Sequence, residues 1–206
     1  MLYNTNNVVT PKALLPSFIP AGIHENISLV NVKVEESPKG YTFIAFEFKD
    51  DQSNTFTYTE WPKTSDRPYT AMSDDERAKF ENKIQNQVSK ITQVLETFVP
   101  KGTYTPIEVN SFIDFITKVK ELLKDKMDNT KVRIKVVYDN KNYTTFPTFA
   151  DEVFIESMSV SKENSKIRQL GKDRMTKSYP DTNQRSTNPF ASQEHLPVPS
   201  STLSPF

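Results

Sequence analysis

Three segments near the start of the chain alternate hydrophobic and polar residues with the period of two that is typical of β-strands. They are residues 27–34, 41–48 and 55–61. Turn-forming residues at 37–40 and 50–54 separate them, so the pattern predicts an antiparallel meander. In the first segment the alternation changes phase between Leu29 and Val30. This change indicates either a β-bulge or a strand that is buried on both faces at its middle.

Hydrophobic residues then recur every three to four positions, the spacing of an amphipathic helix, over two consecutive segments. Ser73 and Glu76 form a capping-box signature at the start of the first segment, and Pro100 ends it. Thr105 followed by Pro106 gives a second start signal, with proline at the first helical position. The pattern predicts helices over about 73–99 and 105–127.

A second β region follows the helices. Residues 132–138 alternate hydrophobic side chains with basic or polar ones, and turn-forming residues follow at 139–142. The next segment, 143–155, is apolar and aromatic but contains Pro147, which cannot donate a hydrogen bond to a neighbouring strand. We therefore predict two more strands and the element order β-β-β-α-α-β-β.

The predicted domain occupies residues 21–158, between two segments of different composition. Residues 1–20 are polar and proline-containing, so we expect a flexible N-terminal arm. Its apolar residues, which we expect to dock on the domain, are Leu14, Leu15, Phe18 and Ile19. Residues 159–206 contain few aromatic or β-branched residues, so burial cannot offset the entropy of ordering them. They predict a disordered tail that is basic at first and then rich in proline and serine.

Composition argues against several classes of function. The chain of 206 residues has no cysteine and only two histidines, His24 and His195, so disulfides, thiolate chemistry and histidine clusters have little to draw on. Its four glycines form no phosphate-binding loop, and no nucleophile lies in a recognisable setting. We therefore expect no catalytic residue, no metal and no cofactor, and we predict that the protein is not an enzyme.

Charge and hydropathy limit the partners that we expect. No apolar run approaches the ~18 residues of a membrane span, and the N-terminus does not resemble a signal peptide, so we predict a cytoplasmic protein without a membrane partner. Basic and acidic side chains both total 26, so no net charge attracts the whole molecule to a polyanion. Residues 1–160 have a slight acidic excess. Any binding of nucleic acid would therefore depend on local basic patches and on salt concentration.

The element order, with a first strand long enough to serve both halves of a sheet, is that of an OB-fold, a five-stranded and partly open barrel. Two segments resemble, in their general pattern, small OB-fold single-stranded-DNA-binding proteins of large tailed bacteriophages: PAGIHENISLVNVKVEESPKGYTFIAFEFKD and KVRIKVVYDNKNYTTFPTF. The resemblance covers about residues 20–156. We predict a β-rich α+β fold, an OB-like five-stranded barrel with a helical insertion and a disordered C-terminal tail.

This resemblance implies sequence-independent binding of single-stranded DNA, which would protect transient single strands in phage-type replication, recombination or repair. A phage-encoded protein would act in the cytoplasm of the host cell. Proteins of this kind often end in a mobile tail whose tip recruits replication proteins, and here the chain ends in Pro205 and Phe206, a pair that also occurs as Pro189 and Phe190. The usual tail is strongly acidic before such a tip, whereas this tail is not acidic.

Single strands are held by aromatic side chains that stack on bases and by cations that contact phosphates. The aromatic candidates are Trp61, Tyr58 and Phe43, and the cationic candidates are Lys33, Lys63, Arg67, Lys131, Arg133 and Lys135. A plainer interpretation makes Phe43 and Tyr58 core residues. By the same reasoning, the three basic residues of the fourth strand would form a solvated face without a ligand.

The alternative function is that of a non-enzymatic structural or adaptor protein, for instance a virion or replisome component that binds another protein through its sheet or its helices. An exposed apolar helix face would favour this alternative. A salt-sensitive affinity for oligonucleotides would favour the binding of single-stranded DNA.

Overall fold

An open antiparallel sheet and two helices form the fold, in a computed structural model that describes residues 17–127 and 130–178. The strands are β1 (Gly22–Glu36), β2 (Thr42–Lys49), β3 (Thr55–Glu60), β4 (Lys131–Tyr138), β5 (Thr144–Thr145) and β6 (Ile155–Ser157), and the helices α1 (Asp74–Phe98) and α2 (Phe112–Leu123) lie between β3 and β4. The architecture is mixed α+β in the predicted order, with six strands where the sequence predicts five.

β1 joins the two parts of the sheet because each of its halves pairs with a different strand. Its first half pairs antiparallel with β4, and its second half pairs antiparallel with β2. The register against β2 shifts between Leu29 and Asn31, and Val30 between them is 48% exposed. A β-bulge therefore accounts for the change of phase in the sequence, and the alternative of a strand buried on both faces at this point is wrong.

The strand order is β3-β2-β1-β4-β5, and β6 also pairs with β4. Among the residues that the structure describes, β3 and β5 do not pair with each other through their backbones, so the sheet is open between these two strands. The predicted fifth strand, residues 143–155, forms two short strands, because Pro147 lacks the N–H that a continuous ladder needs. β5 pairs with the end of β4 at Val137 and Tyr138, and β6 pairs near its start.

Aromatic rings fill the core between β3 and the segment that follows β5. Phe146 is at their centre, with its ring centroid 5.0 Å from that of Phe56, 4.6 Å from that of Tyr58 and 4.5 Å from that of Phe154. All four side chains are at most 2% exposed. The cluster connects the two ends of the open sheet through side chains. Burial of each phenylalanine in it stabilises the fold by about 1.5–3 kcal/mol.

α1 begins and ends close to the predicted positions. The Ser73 hydroxyl accepts a hydrogen bond from the Glu76 backbone N–H at 3.3 Å, and the Glu76 carboxylate accepts one from the Ser73 N–H at 2.9 Å, which confirms the capping box. Asp74 and Asp75 in the first turn interact favourably with the positive end of the helix dipole.

Across residues 17–127 and 130–178, no helix is both long and apolar enough to cross a membrane.

α2 begins later than the sequence predicts, so the predicted start at Thr105 is wrong. Its N-cap is Ser111, whose hydroxyl accepts a hydrogen bond from the Asp114 backbone N–H at 3.1 Å. Before this cap, Ile107 and Val109 both pack against the core. Two residues at this spacing point to different sides of a helix, so their shared burial favours an irregular segment.

The end of the N-terminal arm docks on the edge of β3. The Ile19 N–H donates to the Thr55 carbonyl at 3.0 Å, and the Thr55 N–H donates to the Ser17 carbonyl at 2.9 Å. Ile19 is 1% exposed, which confirms that it docks, whereas Phe18 is 66% exposed. Leu14 and Leu15 lie outside the described residues, as do all of residues 1–16.

Residues 159–178, which we call the strap, pack on β4 although the sequence predicts that they belong to a disordered tail. Ile167 is 6% exposed, and the Tyr138 N–H donates to the Arg174 carbonyl at 2.8 Å. The packed part of the chain therefore extends beyond the predicted boundary at residue 158. Residues 179–206, the remainder of the predicted tail, lie outside the described residues.

A buried ammonium group attaches the strap to the sheet. Lys135 is 1% exposed, and its Nζ lies 2.8 Å from a carboxylate oxygen of Glu152 and 3.0 Å from one of Asp173. It also donates to the Arg168 carbonyl at 2.9 Å. Burial opposes ionisation of Glu152, but hydrogen bonds from Lys135 and Lys172 outweigh it and lower the pKa of this carboxyl. The strap thus supplies half of the negative charge around Lys135.

We expect Asp173→Ala to destabilise the protein by about 3 kcal/mol, the cost of removing one partner from a buried ion pair. Lys135 would lose one of its two carboxylate partners and would share the other, Glu152, with Lys172, so its buried positive charge would be less well compensated. Equilibrium unfolding in urea measures this change in the free energy of unfolding. The control Glu163→Ala, at an exposed acid of the same strap, should change it by less than about 0.5 kcal/mol. Equal stability of the two variants would contradict the role of Asp173.

Candidate functional site

The outer face of the sheet, opposite the core, carries two of the predicted aromatic residues in contact. In β2, Ile44 and Phe46 face the core, so Phe43 lies on the outer face. The register of β2 and β3 places Phe43 across from Trp61, which directly follows β3. Their ring centroids are 4.3 Å apart and their planes are inclined by 31°. Trp61 is 43% exposed, so this pair, which we call the platform, presents ring surface to solvent.

A glutamine of α1 holds the main chain at the platform. The side chain of Gln87 is buried, and its Nε2 donates to the Trp61 carbonyl at 2.6 Å and to a carboxylate oxygen of Glu60 at 2.8 Å. Because this hydrogen bond is made to the backbone carbonyl of Trp61, it holds the end of β3 in place independently of the conformation of the indole side chain. The helical insertion therefore positions the platform.

Glu60 is the centre of a buried polar cluster beneath Trp61. It is 4% exposed and accepts hydrogen bonds from the Tyr58 hydroxyl, Gln87 and two ammonium groups. The Lys90 Nζ lies 2.6 Å from one carboxylate oxygen, and the Lys63 Nζ lies 3.2 Å from the other. Burial acts to raise the pKa of Glu60, but the charge of Lys90 and the hydrogen bonds outweigh it, so the pKa lies below its ordinary value.

This cluster has one positive charge in excess, because two ammonium groups share the single carboxylate of Glu60. Lys90 is buried, whereas the side chain of Lys63 is 35% exposed. Lys63 also comes two residues after Trp61 in the chain. The excess charge is thus accessible to solvent at Lys63, and a phosphate there could bind while Lys90 continues to compensate Glu60.

Three other predicted cations are each paired with one carboxylate at the surface. The Nζ of Lys33 lies 2.5 Å from Glu47, that of Lys131 lies 2.7 Å from Asp51, and the guanidinium of Arg67 lies 3.2 Å from Glu76. The hydrogen bond that Lys33 donates to the Glu47 carboxylate raises the pKa of Lys33. A phosphate at these positions would compete with a carboxylate already in place, so these cations are weaker candidates than Lys63.

The prediction that Arg133 and Lys135 contact phosphates needs correction. Both are buried, at 4% and 1% exposure. The guanidinium of Arg133 is enclosed by Glu25, at 3.0 Å, and by Glu156, and Lys135 is enclosed by the two carboxylates described above. The cause is that β6 and the strap cover this side of β4, so its basic residues are internal. With Lys131 alone exposed, the three do not form a basic track.

Tyr58 is a core residue, so its assignment to a stacking surface is also corrected. It is 2% exposed and packs against Phe46 and Phe146. Its hydroxyl donates to Glu60, and burial, together with the charge of that carboxylate, raises the pKa of the phenol. Tyr58 therefore remains a hydrogen-bond donor that helps to fix the cluster beneath Trp61. The alternation that separates Tyr58 from Trp61 predicts their opposite faces correctly.

The buried cluster is not predicted above, although polar residues at core positions of β3 and α1 are a signal for it in the sequence. Glu60 occupies the inward phase of β3, after Phe56 and Tyr58, where an apolar residue is expected. Gln87 and Lys90 likewise lie on the buried face of α1. Polar residues in core positions need partners, so together they predict a buried polar network.

Comparison with known proteins does not add to this description: no family model matches the chain, and no curated protein matches it.

The predicted tail tip at Pro205 and Phe206, and the similar pair at Pro189 and Phe190, lie outside the described residues. The features that bear on function are the platform, Lys63 and the surface around them.

We expect Glu60→Gln to change how stability depends on pH. A carboxyl whose pKa is lowered on folding stabilises the protein at pH values above its ordinary pKa of 4.5, and this contribution is lost as the pH falls through the folded pKa. At about pH 7 the variant should be less stable by roughly 3 kcal/mol, because Lys90 loses its buried partner. The difference should narrow in urea unfolding experiments as the pH falls below the ordinary pKa of 4.5 towards the lower pKa of the folded state.

The control for this experiment is Glu47→Gln, which removes a half-exposed carboxylate from its pair with Lys33 and should cost less than about 1 kcal/mol. A difference between Glu60→Gln and the unmodified protein that stays constant over the whole pH range would contradict the role of Glu60 as a buried anion.

Proposed function

We propose that this protein binds single-stranded DNA without sequence preference and that it has no catalytic activity. The observation that carries the proposal is the platform of Phe43 and Trp61, which presents ring surface to solvent beside the excess positive charge at Lys63. A stacked base and a neighbouring phosphate need these two features next to each other. A duplex keeps its bases stacked on one another, so its faces are not free to contact the platform.

The connectivity of the sheet supports an OB-like fold as part of this proposal. In the OB-fold a long first strand bends to serve both halves of a five-stranded, partly open barrel that binds oligonucleotides on one face. Here β1 pairs with both β2 and β4, and the helices lie between β3 and β4. We propose that the gap between β3 and β5, filled by Phe146, is the open side of such a barrel. The resemblance of residues 20–156 to phage single-strand-binding proteins points in the same direction.

The energetics of the surface set the expected affinity. One base stacked on an aromatic residue contributes about 1–3 kcal/mol, and the platform offers one such position. Lys63 carries uncompensated charge, whereas Lys33, Arg67 and Lys131 must exchange a carboxylate for a phosphate. Binding should therefore be moderate in strength and should weaken with salt less steeply than binding by a strongly basic protein.

In this proposal the protein covers transient single strands during phage-type replication, recombination or repair, in the cytoplasm of the host cell. Pro205 and Phe206 would bind replication proteins, because an aromatic side chain next to a rigid proline fills a pocket at low entropic cost. Coating requires only binding, so no residue is assigned to a chemical step.

The fluorescence of Trp61, the one tryptophan of the chain, tests this function directly. We expect a mixed-sequence single strand of about 30 nucleotides, longer than one OB-fold site, to quench it in a saturable and salt-reversible way. A duplex of the same sequence should quench it much less. If neither nucleic acid changes the fluorescence or the mobility of the protein in a gel, the proposal fails and the alternative of an adaptor that binds protein takes its place.

We expect Trp61→Ala to weaken single-strand binding by about 1–3 kcal/mol, the contribution of one stacked base. The fold should persist, because Gln87 bonds the backbone carbonyl at this position and the indole is 43% exposed. Fluorescence anisotropy of a labelled strand measures the affinity, and circular dichroism checks the fold. Tyr143→Ala is the matched control, at an aromatic side chain that is 69% exposed beyond the end of β4. Equal affinities of the two variants would argue against the platform.

We expect Lys63→Gln to reduce the slope of log affinity against log salt by about 0.7, the value for one phosphate contact on a single strand. Lys90 still compensates Glu60 in this variant, so stability should change by less than about 1 kcal/mol. Lys141→Gln, at an exposed lysine of the turn after β4, should leave the slope unchanged. A reduced affinity with an unaltered slope would show that Lys63 acts otherwise than through a phosphate.

A further inference from the structure

A groove between the two helices begins where the platform ends. It has a volume of about 710 Å³ and is bounded by α1, by the segment that leads into α2 and by the chain that follows Trp61. Pro62 and Lys63 form its near end, and Gln87, which holds the Trp61 carbonyl, also lines it. The lining of the groove therefore begins one residue after Trp61, and Lys63 lies at the end nearest the platform.

The lining combines apolar surface with amide groups that have no partner. Ile84, Val88 and Phe112 are half-buried and give the groove apolar walls. Gln85 and Asn110 are exposed and also line the groove. Within the described residues, neither amide side chain makes a hydrogen bond. An amide offers both donors and an acceptor, so it can pair with the edge of any nucleobase.

We infer that this groove is a second nucleobase site, in which a base next to the one on the platform inserts between the apolar walls and pairs with Gln85 and Asn110. The inference rests on the proposed function, because it requires the strand to cross the platform. It extends that function from a single stacking position to a path with a defined direction: from the platform, past Lys63, into the groove between the helices.

Charge determines which part of a nucleotide enters. Glu108 also lines the groove, and its carboxylate repels a phosphate. The excess positive charge lies at the entrance, at Lys63. The phosphate therefore remains at the entrance while the uncharged base goes in. The same charges make the groove less suited to an acidic peptide, and its continuity with the platform favours a nucleic acid over a separate protein partner.

The test compares two strand lengths in the full-length protein. Oligothymidylates of about 4 and about 12 nucleotides, near the limits of a single OB-fold site, are titrated by anisotropy against Gln85→Ala/Asn110→Ala. The affinity for both strands should fall about tenfold, as expected for two lost hydrogen bonds, because even the shorter strand has a base next to the one on the platform. The matched control is Asn82→Ala/Gln52→Ala, which removes two exposed amides outside the groove and should alter neither affinity.

A second measurement locates the base without any substitution. A strand that carries one 5-iodouracil is irradiated on the unmodified protein, and the crosslinked peptides are identified by mass spectrometry. We expect one set of crosslinks at the platform and another at Phe112, according to the position of the modified base. Crosslinks at the platform alone would overturn the inference.

The outcomes separate this inference from the function on which it rests. If the unmodified protein binds neither strand, single-strand binding itself fails. If it binds both and Trp61→Ala weakens binding while the groove variant binds the longer strand normally, the platform stands and the groove site is wrong. In that case the groove is left for a peptide partner.

Discussion

The fold depends on the change of phase at Val30 in β1. In a regular strand, alternate residues face the same side throughout. Where such a strand bends to join two parts of a curved sheet, the side chains beyond the bend no longer point to the core unless the alternation shifts by one residue. The bulge at Val30 prevents this: Ile27 and Leu29 face the core before it, and Val32 faces the core after it. The second half of β1 can then pair with β2 while the first half pairs with β4. β2 and β3 are thereby joined to the rest of the sheet, and their own register brings Phe43 and Trp61 together on its outer face.

Compensation of buried charge is the second constraint. Burying an ion is costly unless an opposite charge and hydrogen bonds surround it, and Glu60, Arg133 and Lys135 are all buried and all surrounded in this way. The balance differs from place to place. Carboxylates outnumber the cation at Arg133, whereas cations outnumber the carboxylate at Glu60. A chain with zero formal net charge therefore has a local excess of either sign, and the positive excess at Lys63 is the one that the proposed function uses.

Features with a strong local pattern are predicted from the sequence, and features made by distant residues are not. The alternation in the first strands and the capping box at Ser73 predict elements that the structure confirms. The alternation in β3 also correctly predicts that Trp61 and Tyr58 lie on opposite faces. The interpretation fails at Lys135, because the alternation of β4 predicts its side but not the strap that covers it. The strap has few apolar residues, and it is anchored by Asp173, whose partner is 38 residues away in the chain. The groove is missed for the same reason, since α1 and the segment before α2 meet only in the folded protein.

The strap also constrains the order in which the protein is completed during synthesis. The meander of β1, β2 and β3 uses near neighbours in the chain and can form as soon as it leaves the ribosome. The first half of β1 can pair only after β4 has been synthesised. Lys135 can bind Asp173 only later, after the strap has emerged from the ribosome. A nascent chain that contains β4 but not yet the strap carries a lysine destined for the interior with only part of its counter-charge. Translation therefore sets the moment at which this side of the sheet can be sealed from water.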